Sequence, residues 1–135
     1  MAVTLKARVL IDGVAQGPLL RLKGPISFWG GIDPCTGKIA DPRHPDYGAS
    51  VSGTVLAIAE TIGSSSSSSV MLELIGQRRA PAALLLGKTD AILTLGVVVA
   101  REMTIGSIPV LQLPIDELPE QGEVTIREGG AIVIA

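Results

Sequence analysis

Aromatic side chains are nearly absent from this chain: one Phe, one Trp and one Tyr in 135 residues. All three, Phe28, Trp29 and Tyr47, fall in one stretch, so the core must be built from Val, Ile, Leu and Ala. Cysteine is limited to Cys35. One thiol excludes an internal disulfide, and it cannot supply the several thiolates that an iron–sulfur cluster needs. Charge is also scarce: 18% of residues, with a net value of −2. That excludes the broad basic surface of a nucleic-acid binder. No apolar run approaches the roughly 20 residues of a membrane helix. The first ten residues hold Lys6 and Arg8 inside an alternating pattern and lack the apolar core of a signal peptide. With a single cysteine, a reducing cytoplasm is the expected location.

Aliphatic residues, glycine and proline are what the chain has instead. The hydrophobic share is 47%, with 16 Gly and 9 Pro. This is the composition of a folded domain with short elements and many tight turns. A length of 135 residues fits one domain, residues 1–135, with a real core. So aliphatic a chain also leaves apolar area for a partner.

Hydrophobic patterning predicts a β-rich α/β fold with one or two crossover helices. Strands are expected at 3–11, 19–22, 51–59, 81–86 and 108–113. Asp12-Gly13 and Gly17-Pro18 read as turns. A helix is expected from about Ser65 to Gly76, with Gly76 as its left-handed cap. A second short helix or turn follows over 90–99, capped by Asp90. Residues 114–122 read as a polar loop. A terminal hairpin pairs 123–127 with 131–134 around Gly129-Gly130. Residues 24–48 lack helical periodicity and carry four prolines, the pair Gly30-Gly31, Gly37 and Gly48, which marks a long functional loop.

The densest chemical signal is Gly63 followed by six serines, Ser64 to Ser69, directly before the apolar run Val70 to Ile75. Three readings compete: a flexible linker, a helix cap with surplus hydroxyls, or an anion cradle that includes a catalytic hydroxyl. Both flanks look like core elements, which argues against a linker. A free serine hydroxyl is a poor base until a helix N-terminus, a cation or a partner base stabilises its alkoxide. The chain has one His and no triad, so any activating partner comes from the helix or from another chain. Asp41, His44 and Asp46 superficially resemble metal ligands, but one His among prolines favours a structural or interface role. Arg78 and Arg79 read as compensation of the helix dipole, with a substrate carboxylate as the secondary possibility.

Four segments, in this order, carry a resemblance. They are Pro25-Ile26-Ser27-Phe28-Trp29-Gly30-Gly31-Ile32-Asp33-Pro34-Cys35-Thr36-Gly37, Asp41-Pro42-Arg43-His44-Pro45, the Gly63–Ser69 run, and Arg79-Ala80-Pro81-Ala82-Ala83. Together they resemble the small subunit of the aconitase X family over about residues 5–115. The resemblance implies a swivelling β/β/α domain with a barrel-like core. It implies a two-subunit hydro-lyase, with an iron or iron–sulfur centre held by a large subunit and none by this chain. The substrate it implies is a small hydroxy acid, and neither nucleic acid nor membrane is expected as a partner. The family serine that accepts the substrate proton directly follows the glycine, which carries over onto Ser64. Ser65, Ser66, Ser67 and Ser68 follow as substrate-binding candidates. A polyserine run resembles the cis-3-hydroxy-L-proline dehydratases, and the mixed Gly-Ser-Thr form the phosphomevalonate dehydratases. A non-catalytic carrier of the swivel type is the remaining alternative, with His44 as its one candidate for carrying phosphate.

Overall fold

A computed structural model describes residues 2–135. Its eight strands are β1 (Val3–Lys6), β2 (Arg8–Ile11), β3 (Ala15–Arg21), β4 (Val55–Ile58), β5 (Ala83–Leu86), β6 (Val110–Gln112), β7 (Glu123–Arg127) and β8 (Ala131–Ile134). They form one sheet in the order β1-β8-β7-β3-β4-β5-β6-β2. The two end strands of that order are consecutive in the chain and separated only by Ala7. The expected single strand over 3–11 thus bends at Ala7 and supplies both edges, which nearly closes the sheet into a barrel. Closure solves the problem of unpaired sheet edges.

The ribbon at 15–21 does the converse. Ala15–Pro18 pair antiparallel with β7, and Leu19–Arg21 pair parallel with β4. Gly17-Pro18 is therefore no turn; it lies inside β3 at the change of partner. Proline lacks a backbone donor, so it is tolerated where ladder bonding switches from one neighbour to another. The strand expected over 51–59 shrinks to β4, because residues 52–54 form a turn.

β3, β4, β5 and β6 run parallel. Parallel neighbours need crossovers, here the long segment 22–54, helix α2 (Ser67–Gly76) and helix α3 (Ala91–Glu102). β4 and β5 are apolar at every position because both their faces are buried. Val55, Ala57, Ala83 and Leu85 point into the barrel, with Val124, Ile126, Ile132 and Ile134. Leu56, Ile58, Leu84 and Leu86 point the other way, against Met71 and Leu74 of α2 and Leu93 and Val97 of α3. Phe28 is the one buried aromatic, packed in the helix-side cluster. This two-layered core is the β/β/α arrangement that the family resemblance implied.

The helix stops at Gly76 as expected, but its start falls at Ser67 and its left-handed residue is not the glycine. Gly76 lies within α2, and the left-handed residue after it is Arg78, with φ 59°. The Arg79 N–H donates to the Leu74 carbonyl and the Arg78 N–H to that of Ile75. Those two bonds satisfy carbonyls that the helix end leaves free, so the motif forms two residues beyond the glycine. The second helix reaches Glu102, beyond the expected end, and Asp90 caps it as foreseen: its Oδ1 accepts from the Leu93 N–H at 3.0 Å.

The terminal hairpin stands where the sequence put it, and it also locks the barrel. Gly129 and Gly130 have φ of 86° and 88°. The Gly130 carbonyl accepts from the Ala7 N–H at 2.8 Å, at the bend between β1 and β2. A Cβ on Gly130 would overlap the Ala7 carbonyl oxygen. Gly130→Ala is expected to destabilise the fold by roughly 1–3 kcal/mol, through backbone strain and the lost approach. The urea midpoint should fall while the slope stays that of the parent.

Candidate functional site

The carboxyl ends of the parallel strands gather the candidate site, as in open α/β sheets generally. Ile26, past the end of β3, forms a parallel bridge to Thr61, past the end of β4. The Ile62 N–H donates to the Ile26 carbonyl at 2.9 Å. Thr61 Oγ1 donates to Asp90 Oδ2 at 2.6 Å. Asp90 thus does two jobs: it caps α3 and ties down the segment that leads into Gly63 and Ser64. Asp90→Ala removes both bonds and is expected to lower stability by about 1–2 kcal/mol. Asp90→Asn, which keeps an acceptor, should recover most of that in a thermal melt.

Ser64 precedes the first turn of α2. Its Oγ accepts from the Ser66 N–H at 3.2 Å, and its carbonyl accepts from the Ser67 N–H at 3.1 Å. Ser66 borders the helix in helical conformation and makes no cap bond with its side chain. The capping serine is therefore Ser64, two residues earlier. Its hydroxyl sits at the positive end of a ten-residue helix, where negative charge on oxygen is stabilised. As acceptor of the Ser66 bond, that hydroxyl still has its own proton to give or exchange.

The other serines separate by helix face. Ser66 and Ser69 line an open cleft of about 640 Å³ together with Trp29, Asp33, Val70 and Glu73. Ser65 is exposed. Ser67 is 2% exposed and is turned into the core, where direct contact with a substrate is closed to it. Ser68 is half-buried and its backbone comes close to α3: a Cβ placed on Gly96 would lie 2.5 Å from the Ser68 carbonyl oxygen. Of the expected binding set Ser65–Ser68, the structure places Ser66 on the cleft and buries Ser67, and Ser69 lines the cleft beside Ser66. The helical spacing of 66, 69, 70 and 73 was the signal that could have found it.

The long segment 24–48 forms the facing wall. Its only helical piece is α1 (Phe28–Gly31), one turn broken by extended ψ at Trp29 and a positive φ of 81° at Gly30. That break pushes the Trp29 indole outward, 60% exposed, between the serine cleft and a second cavity. The second cavity, of about 370 Å³, is lined by Ser27, Trp29, Asp41, Arg43, His44 and Ile62 among others.

His44 staples this wall. Its Nδ1 accepts from the Asp46 N–H at 3.0 Å, so the ring proton sits on Nε2, which donates to the Gly24 carbonyl at 3.1 Å. Both ring nitrogens are used and the residue is buried, which is the structural role favoured by its setting. Asp41 accepts from the Arg43 N–H at 3.0 Å and from its Nε at 3.2 Å. The backbone bond first, and then the guanidinium bond, hold the Asp41 carboxyl below its ordinary range. A depressed carboxyl keeps such a tie intact above the ordinary aspartate range and loses it as pH falls through the lowered value. Arg43 keeps its side chain 91% exposed at the mouth of the cavity.

Among the described residues, no three His, Cys, Asp or Glu come together to hold a metal ion. Cys35 is exposed and alone, and the His44 nitrogens are already bonded. These residues do not fit an iron centre. Among them, too, no helix is long and apolar enough to cross a membrane.

Known proteins match both sequence and shape. Cis-3-hydroxy-L-proline dehydratase of Pseudomonas aeruginosa is 47% identical over 103 residues, covering 76% of this chain and 18% of that protein. The protein of the same name from Hypocrea jecorina is 42% identical over 115 residues, covering 85% of this chain and 19% of its own length. The chain thus spans about a fifth of these two relatives. Phosphomevalonate dehydratase small subunit of Methanothermobacter thermautotrophicus is 35% identical over 111 residues, covering 82% of this chain and 80% of that one. The crystal structure of Thermococcus kodakaraensis aconitase X in its holo-form superposes with a TM-score of 0.87 at 27% identity, over 98% of both chains. The family model described as the aconitase X swivel domain matches residues 4–134, and the chain belongs to that family.

Proposed function

We propose that this chain is the small subunit of a hydro-lyase that dehydrates cis-3-hydroxy-L-proline to Δ1-pyrroline-2-carboxylate. One observation carries the reading: the Ser64 hydroxyl stands at the amino end of α2, bonded to the N–H of Ser66, a residue that lines the serine cleft. The higher identity to cis-3-hydroxy-L-proline dehydratases, 42–47% against 35%, supports this substrate.

In this reading Ser64, as alkoxide, takes the α-proton and becomes a neutral hydroxyl. The electron pair left on the α-carbon forms the new double bond as the β-hydroxyl leaves. The enamine so formed then isomerises to the cyclic imine. The helix end stabilises the alkoxide before transfer, and the neighbouring N–H groups disperse negative charge in the transition state. Ser66 and Ser69 line the cleft as hydroxyl donors to the substrate. Trp29 shields one side from water. Swivelling of the domain on its large subunit closes the site. Among the described residues no three metal-ligating side chains come together, and the iron or iron–sulfur centre is assigned to the large subunit. The enzyme is assigned to the cytoplasm.

A second reading has its own support. The phosphomevalonate relatives are small subunits of nearly this length, whereas the hydroxyproline relatives are more than about four times as long. A carrier role is disfavoured, because both nitrogens of His44 are engaged inside the fold. The test supplies the complex of this chain and its large subunit with each substrate in turn. Imine formed from cis-3-hydroxy-L-proline, with phosphomevalonate untouched, is the expected result. Turnover of phosphomevalonate alone would reverse the assignment.

A further inference from the structure

Helix α3 carries the sequence Ala-Ile-Leu-Thr-Leu-Gly-Val-Val-Val-Ala-Arg-Glu, apolar until its last turn except for Thr94, whose hydroxyl donates to the Asp90 carbonyl. A helix of that kind is normally buried all round. Here one face, Leu93, Gly96, Val97 and Ala100, is buried. The opposite face holds Ile92, Leu95 and Val98, spaced three apart and 40%, 50% and 40% exposed. Between that face and the neighbouring strand β2 runs a groove of about 400 Å³, lined by Leu10, Leu95 and Val98 with Arg8 at its side. The helix is thus half-finished in the isolated chain.

We infer that this outer face of α3 is the seat of the large subunit. The inference rests on the two-subunit reading above and adds the face that is used. Two observations choose this occupant. The hydroxyproline relatives hold about four-fifths of their length outside the region matched here, so the domain works against a much larger polypeptide. And α3 begins at the site: Asp90, its cap, is bonded to Thr61, and Ile92 lines the same shallow pocket as Gly63. A polypeptide that covers the site edge continues directly onto this stripe. One docking surface then seals the cleft and completes the burial of α3. The apolar centre with Arg8 at its rim has the anatomy of a protein interface.

The test is Leu95→Glu, with the milder Leu95→Gln beside it. Leu95 is half exposed, and circular dichroism of both variants should show the parent fold. Affinity for the co-produced large subunit is then measured by titration calorimetry. Sedimentation of this chain alone runs in parallel. The expected result is affinity lowered roughly tenfold or more by Leu95→Glu, less by Leu95→Gln, with kcat near parental once the large subunit is saturating. Unchanged affinity would overturn the inference. So would a self-associated chain that Leu95→Glu converts to monomer, because the stripe would then belong to a second copy. The two readings fail separately. A complex that forms through Leu95 yet dehydrates neither substrate removes the proposed function and leaves the docking face. Dehydration with unaltered affinity in Leu95→Glu does the reverse.

Discussion

Ser64→Asn is expected to leave the protein folded and to lower kcat of the two-subunit complex by roughly 10²–10⁴-fold, the usual worth of a positioned proton acceptor. Asparagine is the informative replacement because Ser64 does two things. Its Oγ accepts the Ser66 N–H and so caps α2, and its hydroxyl is the proposed base. Ser64→Ala removes both, at a stability loss of about 1 kcal/mol from the missing cap. An asparagine side chain offers an oxygen in nearly the same place, and the residue is at home in such turns. It offers no alkoxide. Melting temperature near parental with turnover lost in Ser64→Asn separates catalysis from capping. Parental turnover in Ser64→Asn would show that another group takes the proton. Ser65→Ala should change little in either measurement, because that side chain is exposed and makes none of these bonds.

Gly96→Val is expected to be the most damaging substitution to the fold outside the barrel. In an exposed helix, replacing glycine by a residue with a side chain gains up to about 1 kcal/mol. Here the sign reverses. The first atom of any side chain would lie 2.5 Å from the Ser68 carbonyl oxygen and 3.0 Å from the Met71 Cβ. Neither obstacle is the end of a flexible chain; one is helix backbone, the other is rooted in it. The two helices must move apart, and both are packed on the same sheet face. We expect a loss of roughly 3 kcal/mol from overpacking, or some 6–15 °C in Tm for a domain of this size. Gly96→Ala should show the same direction at smaller size. Because Ser68 is part of the serine run, the displaced helix also carries Ser64 and Ser66 with it. A fall in kcat larger than the stability loss explains would show that coupling. Gly96→Val melting at the parental temperature would mean that the helices separate freely.

Several features were legible in the chain alone because they are local. The terminal hairpin follows from strand residues either side of Gly129-Gly130, and Asp90 as a cap follows from its place before an apolar run. The apolar runs at β4 and β5 pointed to strands buried on both faces, since alternation is lost only there. The family could be read because four motifs stand in one order, and the match over residues 4–134 bears it out.

What escaped was set by distant partners. Gly17-Pro18 has the composition of a turn, yet it lies in a strand because β7 approaches one half of that strand and β4 the other. Gly76 has the right chemistry for a left-handed cap, yet it stays helical as the last residue of α2 and Arg78 takes that conformation. The single ribbon at 3–11 gives no sign that it feeds both ends of one sheet.

The serine run divides along the same line. Its six identical hydroxyls, and the glycine before them, made a helix start with an anion-friendly end readable from composition and order alone. Their separate fates were decided by tertiary structure. Ser64 caps, Ser66 and Ser69 face the cleft under Trp29, Ser67 enters the core, and Ser68 meets Gly96 of α3. The reason is physical: identical side chains on one helix differ only in the direction they point, and what lies in each direction is supplied by segments 27–33 and 91–102, remote in the chain.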